Sequence, residues 1–312
     1  SPTMLSKFPP MLVMLAGALL CLLPDARWRR VMTLCVPLLA LAQCWLVIAG
    51  GSELHWTIAG LDANPLRTHA ATPAFATIFC LAALGGMAFA WGRARRTELA
   101  AAFVYAAGAL GVVFAGDMLS MLVFWEIMLL GSTLIVWVGG QGGSRGAGFR
   151  YFALHALGGV VMLGGVALVL QARLDAGHSD PLEFTSLAAM VFAGGHGAWG
   201  ACMLLGGMLL CAGAPPFSAW AADAYPEGSV TGSVFLSAFT TKTAVFTLIV
   251  AFAGLEALVW IGLYMSLYGI VYAVLENDIR RVLAYSIVNQ VGFMLVGVGI
   301  GTPLAIDGAT PH

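Results

Sequence analysis

"MLSMLVFWEIMLLGSTLIVWV", residues 118 to 138, is an apolar run long enough to cross a hydrocarbon core as a helix, and it holds one carboxylate, Glu126. No Lys or Arg lies within eighteen positions of that Glu on either side. In a bilayer an ionised side chain at that depth costs about 2.5 to 3.5 kcal/mol or more, so its retention asks for a reason.

The rest of the chain places the run in a membrane. Of 312 residues, 60% are hydrophobic and 9% charged, which is far too apolar for a soluble fold of ordinary composition. The chain is a polytopic membrane protein. A net charge of -1 and the lack of any Lys/Arg cluster longer than two residues exclude a nucleic-acid partner, which needs a basic footprint. The six cysteines, Cys21, Cys35, Cys44, Cys80, Cys202 and Cys211, fall in apolar runs without metal-ligand spacing and read as small buried hydrophobes.

Stretches able to span lie near 8 to 24, 31 to 50, 72 to 91, 99 to 115, 118 to 138, 151 to 171, 190 to 213, 229 to 253, 257 to 275 and 281 to 301. Backbone groups in lipid must pair within their own segment, so these ten are helices and the fold is all-α. The first could be a secretory signal, with Lys7 before it and Pro24 at its end. No small-residue cleavage site follows, and "DARWRR" leads directly into another apolar run, so it reads as a first membrane helix.

Loop charges support the count. Loops after odd-numbered helices hold Arg27, Arg29, Arg30, Arg93, Arg95, Arg96, Arg145, Arg150, Arg280 and Arg281; loops after even-numbered helices hold Arg67 and Arg173. Cytoplasmic loops collect Lys and Arg, which puts the N-terminus on the non-cytoplasmic side. Of the basic residues only Lys242 sits mid-helix, and of the acids only Glu126 is deep in a span.

"CAGAPPFSAWAADAYPEG", residues 211 to 228, groups Pro215, Pro216 and Pro226 around a polar stretch, so the helix breaks there; such backbone at membrane depth is tolerated only inside protein or beside a wet cavity. "GGQGGSRGAG", residues 139 to 148, reads as a flexible loop. "GHGAWG", 195 to 200, has dinucleotide-motif spacing but opens a membrane helix, so it is a chance match and no cofactor is expected.

Glu126 and Lys242 admit two readings: a buried ion pair holding two helices in register, or a pair of shiftable groups on a proton path. His155 and His196 serve as hydrogen-bonded packing residues or as relays, and Ser286, Asn289 and Gln290 either bind helices together or line a wet path. A membrane enzyme is the weakest class: Asp223, Tyr225 and Glu227 form a polar connection without a nucleophile and base on a known motif.

Three segments carry a resemblance. "FAGDMLSMLVFWEIMLLGSTLIVW" is similar to the fifth-helix region of the proton-translocating antiporter-like family, which includes the Mrp multi-subunit sodium/proton antiporters and the large membrane-arm subunits of respiratory complex I. "PPFSAWAADAYPEGSVTGSVFLSAFTTKTAVF" resembles its broken seventh and its eighth helix, and "YAVLENDIRRVLAYSIVNQVGFMLVGVGIG" its ninth-to-tenth junction. In detail the chain looks like the D-type component of the Mrp antiporters and its relatives. The resemblance covers about residues 100 to 301 in family order, which divides the chain into N-terminal helices over 1–98 and an antiporter-like region over 99–312.

The resemblance implies a bundle built on the first five-helix unit of an inverted-repeat transporter plus part of the second. It makes Glu126 the carboxylate that sets protonation and Lys242 the relay base, with His155, Thr241 and Gln290 joining through water. It implies work inside a larger bacterial cytoplasmic-membrane complex with other integral membrane subunits and lipid as partners. The competing expectation is an inactive scaffold that keeps the same fold. Two departures stand out: family members carry a lysine nine residues before the tryptophan of the broken helix, where Cys211 stands before Trp220, and a basic or aromatic-polar side chain at the Ser218 position. Family chains also run to about fourteen helices. The expectation is that a neighbouring chain supplies those from the eleventh onward, or that the sequence is incompletely represented or degenerate.

Overall fold

The computed structural model describes residues 4–23, 26–58, 60–139 and 142–301. Pro24, at the end of the alternative signal reading, and Gln141, in the glycine-rich stretch, lie outside them. The helices follow the apolar runs: α1 (Pro10–Cys21), α2 (Ala26–Gly50), α3 (Thr72–Phe89), α4 (Arg96–Phe114), α5 (Met118–Val138), α6 (Ser144–Asp175), α7 (Gly195–Ala212), α8 (Ala219–Ala224), α9 (Val230–Ala238), α10 (Thr240–Phe252), α11 (Glu256–Leu275) and α12 (Ile279–Ile300). Nine spans among the described residues are long and apolar enough to cross a membrane, with Val230–Phe252 counted as one. The expected first span appears as the 12-residue α1, too short to cross a hydrocarbon core alone, and it packs against α4. The molecule is an integral membrane protein, an all-α bundle.

Burial ranks the helices. In α4, 78% of the most apolar window is buried, against 28% in α11, so α4 is the central post and α11 shows most of its surface outward. Two glycines bring α5 onto that post. A Cβ at Gly131 would stand 2.5 Å from the Tyr105 nitrogen, and one at Gly108 would strike the Met128 backbone. Close approach of this kind replaces the hydrophobic drive that lipid cannot supply between helices.

The helix ends sort into two sets. At one end lie Arg93, Arg95, Arg96, Arg145, Arg150, Arg280 and Arg281; at the other, a feature that no sequence pattern announced, an antiparallel hairpin of β1 (Leu54–Ile58) and β2 (Leu61–Leu66). Asp117 ties the hairpin to the bundle. Its carboxylate accepts from the Ser120 amide, capping α5, and from the Asn64 amide of β2, both at 2.7 Å. Beside it Arg67 donates to Glu183 at 2.5 Å, and His55 bridges Glu53 and Asp62 at 3.1 and 2.9 Å. Burial, then the nearby carboxylates of Glu183, Asp62 and Asp117, raise the pKa of Asp180 at this end above the ordinary Asp value.

The glycine-rich stretch is shorter as a loop than its composition implies. Residues from Ser144 onward are the first turn of α6, and a Cβ at Gly148 would collide with the Trp137 ring. The glycines there permit packing. The expected break after α7 is present: Gly213 caps the helix at φ 82°, the Pro215-Pro216 bond is cis, and α8 restarts at Ala219.

Candidate functional site

The span containing Lys242 is itself broken, between α9 and α10 at Phe239, where no Pro or Gly stands. The cause is a side chain from α4. Tyr105 inserts its hydroxyl into the ladder, so the Thr240 amide donates to it at 3.0 Å, while the hydroxyl lies 2.5 Å from the Thr240 hydroxyl and 3.4 Å from the Leu236 carbonyl. A helix that stops leaves its last carbonyls without intrahelical partners. Lys242 uses one of them, donating from Nζ to the Ser237 carbonyl at 2.7 Å.

Lys242 reaches a cavity of about 470 Å³ that runs from Arg280 at the arginine-rich end past Ser233, Ser237 and Ser286 to Gln290. Arg280 frames its mouth, donating to the Pro226 and Gly228 carbonyls at 2.8 and 3.1 Å. The polar cluster of α12 therefore divides. Ser286 and Gln290 face the cavity, whereas the Asn289 amide donates to the Ser266 carbonyl at 2.7 Å and joins α12 to α11.

A second polar group is buried behind the break. The Tyr151 hydroxyl of α6 donates to Ser132 of α5 at 3.0 Å and lies 3.3 Å from the Thr240 hydroxyl. His155 is one turn further along α6, 2% exposed, with its ring centroid 4.1 Å from that of Tyr151 and 4.4 Å from that of Trp220. Its Nδ1 meets the Tyr151 carbonyl at 3.0 Å, and its Nε2 is buried with no partner among the described residues. Trp220 is fixed by its own bond to the Leu210 carbonyl at 3.0 Å, and its ring faces Tyr225, which also borders the Lys242 cavity.

Glu126 stands apart from both. It lies on an exposed face of α5 with its carboxylate against α6, where a Cβ at Gly159 would collide with Oε1. Cys211 is at the neighbouring step, its sulfur 3.7 Å from where a Cβ on Gly158 would sit.

Of the five residues singled out in the sequence, the structure brings two together. Lys242 and Gln290 share the cavity, His155 packs between Tyr151 and Trp220, and Glu126 lies against Gly159 further along the same helix as His155; Thr241 is buried with no hydroxyl partner among the described residues, and its neighbour Thr240 is the one in the hydrogen-bonded group. The ion-pair reading of Glu126 and Lys242 fails, because among the described residues no ion pair or hydrogen bond joins them and the ammonium is held by a main-chain oxygen. His196 is exposed at the hairpin end of α7, and Asp223 forms a two-point ion pair with Arg150 at 2.8 Å on the exposed arginine-rich side. Tyr105, Ser132, Tyr151 and Trp220 were missed. Hydroxyls and indoles in apolar helices carry no charge signal, and only the fold brings them together.

Comparison with known proteins agrees with this architecture. The family model for the transmembrane part of NADH:quinone oxidoreductase and Mrp antiporters matches residues 115–312. NADH-quinone oxidoreductase subunit N of Beutenbergia cavernae is 30% identical over 69% of this chain and 43% of its own length. The D-type component of the Na(+)/H(+) antiporter of Alkalihalophilus pseudofirmus is 27% identical over 66% of this chain and 43% of its own. The chain spans less than half the length of these relatives. Among solved structures, a chain of the membrane-bound sulfane sulfur reductase, an archaeal respiratory membrane complex, superposes with a TM-score of 0.79 over 96% of this chain and 52% of its own, at 24% identity. That last likeness is one of fold.

Proposed function

Because the chain belongs to the NADH:quinone oxidoreductase/Mrp antiporter transmembrane family, we propose that it is a membrane subunit that moves protons, or exchanges them for a cation, within a larger complex of the Mrp or complex I type. The observation that carries this reading is Lys242: an ammonium inside the membrane, placed at a helix break, held by one carbonyl and bordering a cavity that extends to the arginine-rich end. A half-buried lysine with a main-chain partner and a polar approach is able to release and regain a proton where water reaches it.

In this reading Lys242 is the relay base and Glu126 the carboxylate that biases it. Gln290, Ser286 and Thr241 orient water beside Lys242, while the paired hydroxyls of Thr240 and Tyr151 are the polar link from α10 to the helix that Glu126 touches. The arginine-rich end faces the cytoplasm of a bacterial cell by the positive-inside rule, so the cavity is the inner entrance and the N-terminus is outside. The partners are other integral membrane subunits and lipid, with helices corresponding to the remaining length of the longer relatives packed against this bundle.

The test is Lys242→Met in the native complex, with proton uptake followed in inverted membrane vesicles. A loss of at least about a hundred-fold with normal assembly is expected, the low end of what positioned proton transfer contributes. Full uptake with normal assembly would sink the relay and leave the chain a scaffold.

A further inference from the structure

A separate cavity, of about 260 Å³, opens where helices end: α3 stops at Phe89 and α5 at Val138, and α9 begins at Val230. It therefore lies at the arginine-rich end, at the level of lipid head groups. Trp91 and Trp137, which adjoin those helix ends, are both exposed, as residues of an interfacial aromatic belt are.

Its walls carry charges of both signs, from Arg93, Arg95 and Glu98, together with the hydroxyl residues Ser229 and Thr231. Glu98 is 3% exposed, yet among the described residues no ion pair joins it to any arginine. Its Oε1 accepts from the Ser229 hydroxyl at 2.7 Å and from the Thr231 hydroxyl, which clips α4 to α9. The clip uses one oxygen only. Among the described residues nothing donates to Oε2. Arg93 is held elsewhere, its guanidinium carbon 5.2 Å over the centre of the Phe89 ring.

A buried carboxylate and two cations thus border one cavity without meeting, and each sign asks for a partner from outside. A metal cation would face two guanidinium groups, and a simple anion would face Glu98. The guest that fits carries both signs. We propose that this cavity holds the head group of a phosphatidylethanolamine. The phosphate lies on Arg93 and Arg95, whose planar forks suit its oxygens, and the primary ammonium donates to Oε2 of Glu98. The acyl chains leave over the exposed Phe89 and Val230 side chains. A choline head has no hydrogen to donate and a glycerol head no positive charge, so the carboxylate selects among lipids that the arginines alone would hold equally. Basic clefts between spans at the cytoplasmic side are places where lipid head groups bind. The inference rests on the reading above, in which lipid is a partner and the arginine-rich end is cytoplasmic, and it names the lipid.

The experiment uses the native complex, purified in detergent and depleted of lipid, with dioleoyl phosphatidylethanolamine, phosphatidylcholine and phosphatidylglycerol titrated in separately and counted by native mass spectrometry. One site on the wild-type complex is expected to prefer the ethanolamine lipid at least about ten-fold over the other two, as a hydrogen bond between charged groups allows. Glu98→Gln, which keeps an oxygen for Ser229 and Thr231, is expected to erase the preference, and Arg95→Gln to weaken all three lipids. Equal binding of the three lipids by the wild type overturns the proposal, and so does a preference that survives Glu98→Gln. Should Glu98→Gln fail to assemble, Arg95→Gln at its exposed position decides, and unchanged binding of the ethanolamine lipid there overturns the proposal. Soluble phosphoethanolamine at the lipid's concentration is expected to leave the lipid in place; displacement would make the guest a free metabolite and overturn the lipid assignment. Lys242 lies outside this cavity, so Lys242→Met tests transport separately. Unchanged proton uptake in that variant sinks the relay and leaves the lipid site standing, whereas lost uptake beside unselective lipid binding sinks this inference alone.

Discussion

Glu126 and Lys242, the acid and the base that the sequence places deep in spans, are accommodated in opposite ways. Lys242 has room: a broken helix offers it a carbonyl, and a cavity of about 470 Å³ lies beside it. Glu126 has none on its inner side, where a carboxylate oxygen occupies the space a Cβ on Gly159 would need, and it is exposed on the other. A charge in a low-dielectric medium can be met by fixed dipoles or by access to water or a neighbour, and the molecule uses one device for each. The seam therefore depends on shape, and the cavity on polarity.

That contrast is open to direct attack. The largest effect is expected from Gly131→Val on the helix that carries Glu126, which forces a branched side chain into the Tyr105 backbone; overpacking of this kind costs about 1 to 3 kcal/mol, and thermal unfolding of the detergent-solubilised complex should register it. Next comes Tyr105→Phe at the junction of the two regions. It leaves the Thr240 amide without its partner, a loss of about 1 to 3 kcal/mol for a buried donor, read as faster hydrogen exchange confined to the α9–α10 break. Ser233→Ala on the cavity wall should stay within about 0.5 kcal/mol, because it adds no volume and water can satisfy the neighbours it leaves. A similar cost from Ser233→Ala and Gly131→Val would erase the distinction between the regions.

The smallest effect lies outside the membrane. Hydrogen bonds to Glu53 and then Asp62 favour the charged ring of His55 and raise its pKa above the ordinary value. A raised folded-state value means that its contribution is fully present below the unfolded value of about 6.5 and is lost as the pH rises through the folded one. Half of the side chain is exposed, so the effect is modest. Hydrogen exchange of the β1–β2 amides should quicken slightly on that rise relative to the intrinsic rate, and His55→Ala should remove the difference.

Much of the bundle was legible because lipid imposes long apolar runs and sorts Arg to one set of loops; α5 coincides with the run quoted from residues 118 to 138. The break after α7 was legible from its prolines. The break at Phe239 was not, since its agent, Tyr105, is 135 residues from Thr240 in the chain and looks like any aromatic in an apolar helix. The hairpin escaped because its strands are short and one contains Pro65. At the site the charged residues were found by elimination, and whether they paired stayed open because charge alone does not say that a carbonyl has already taken the ammonium.

The hydroxyl of Tyr105 has one more consequence. It occupies a rung in the backbone ladder of another helix, so α4 and the α9–α10 span are spliced through a phenol. Any straightening or further bending at Phe239 must push or release that ring, and the ring is seated where Gly131 lets α5 touch its own backbone. A movement of Lys242 along its helix axis would thus be felt as a tug on the central post, the way a keyed shaft turns its hub.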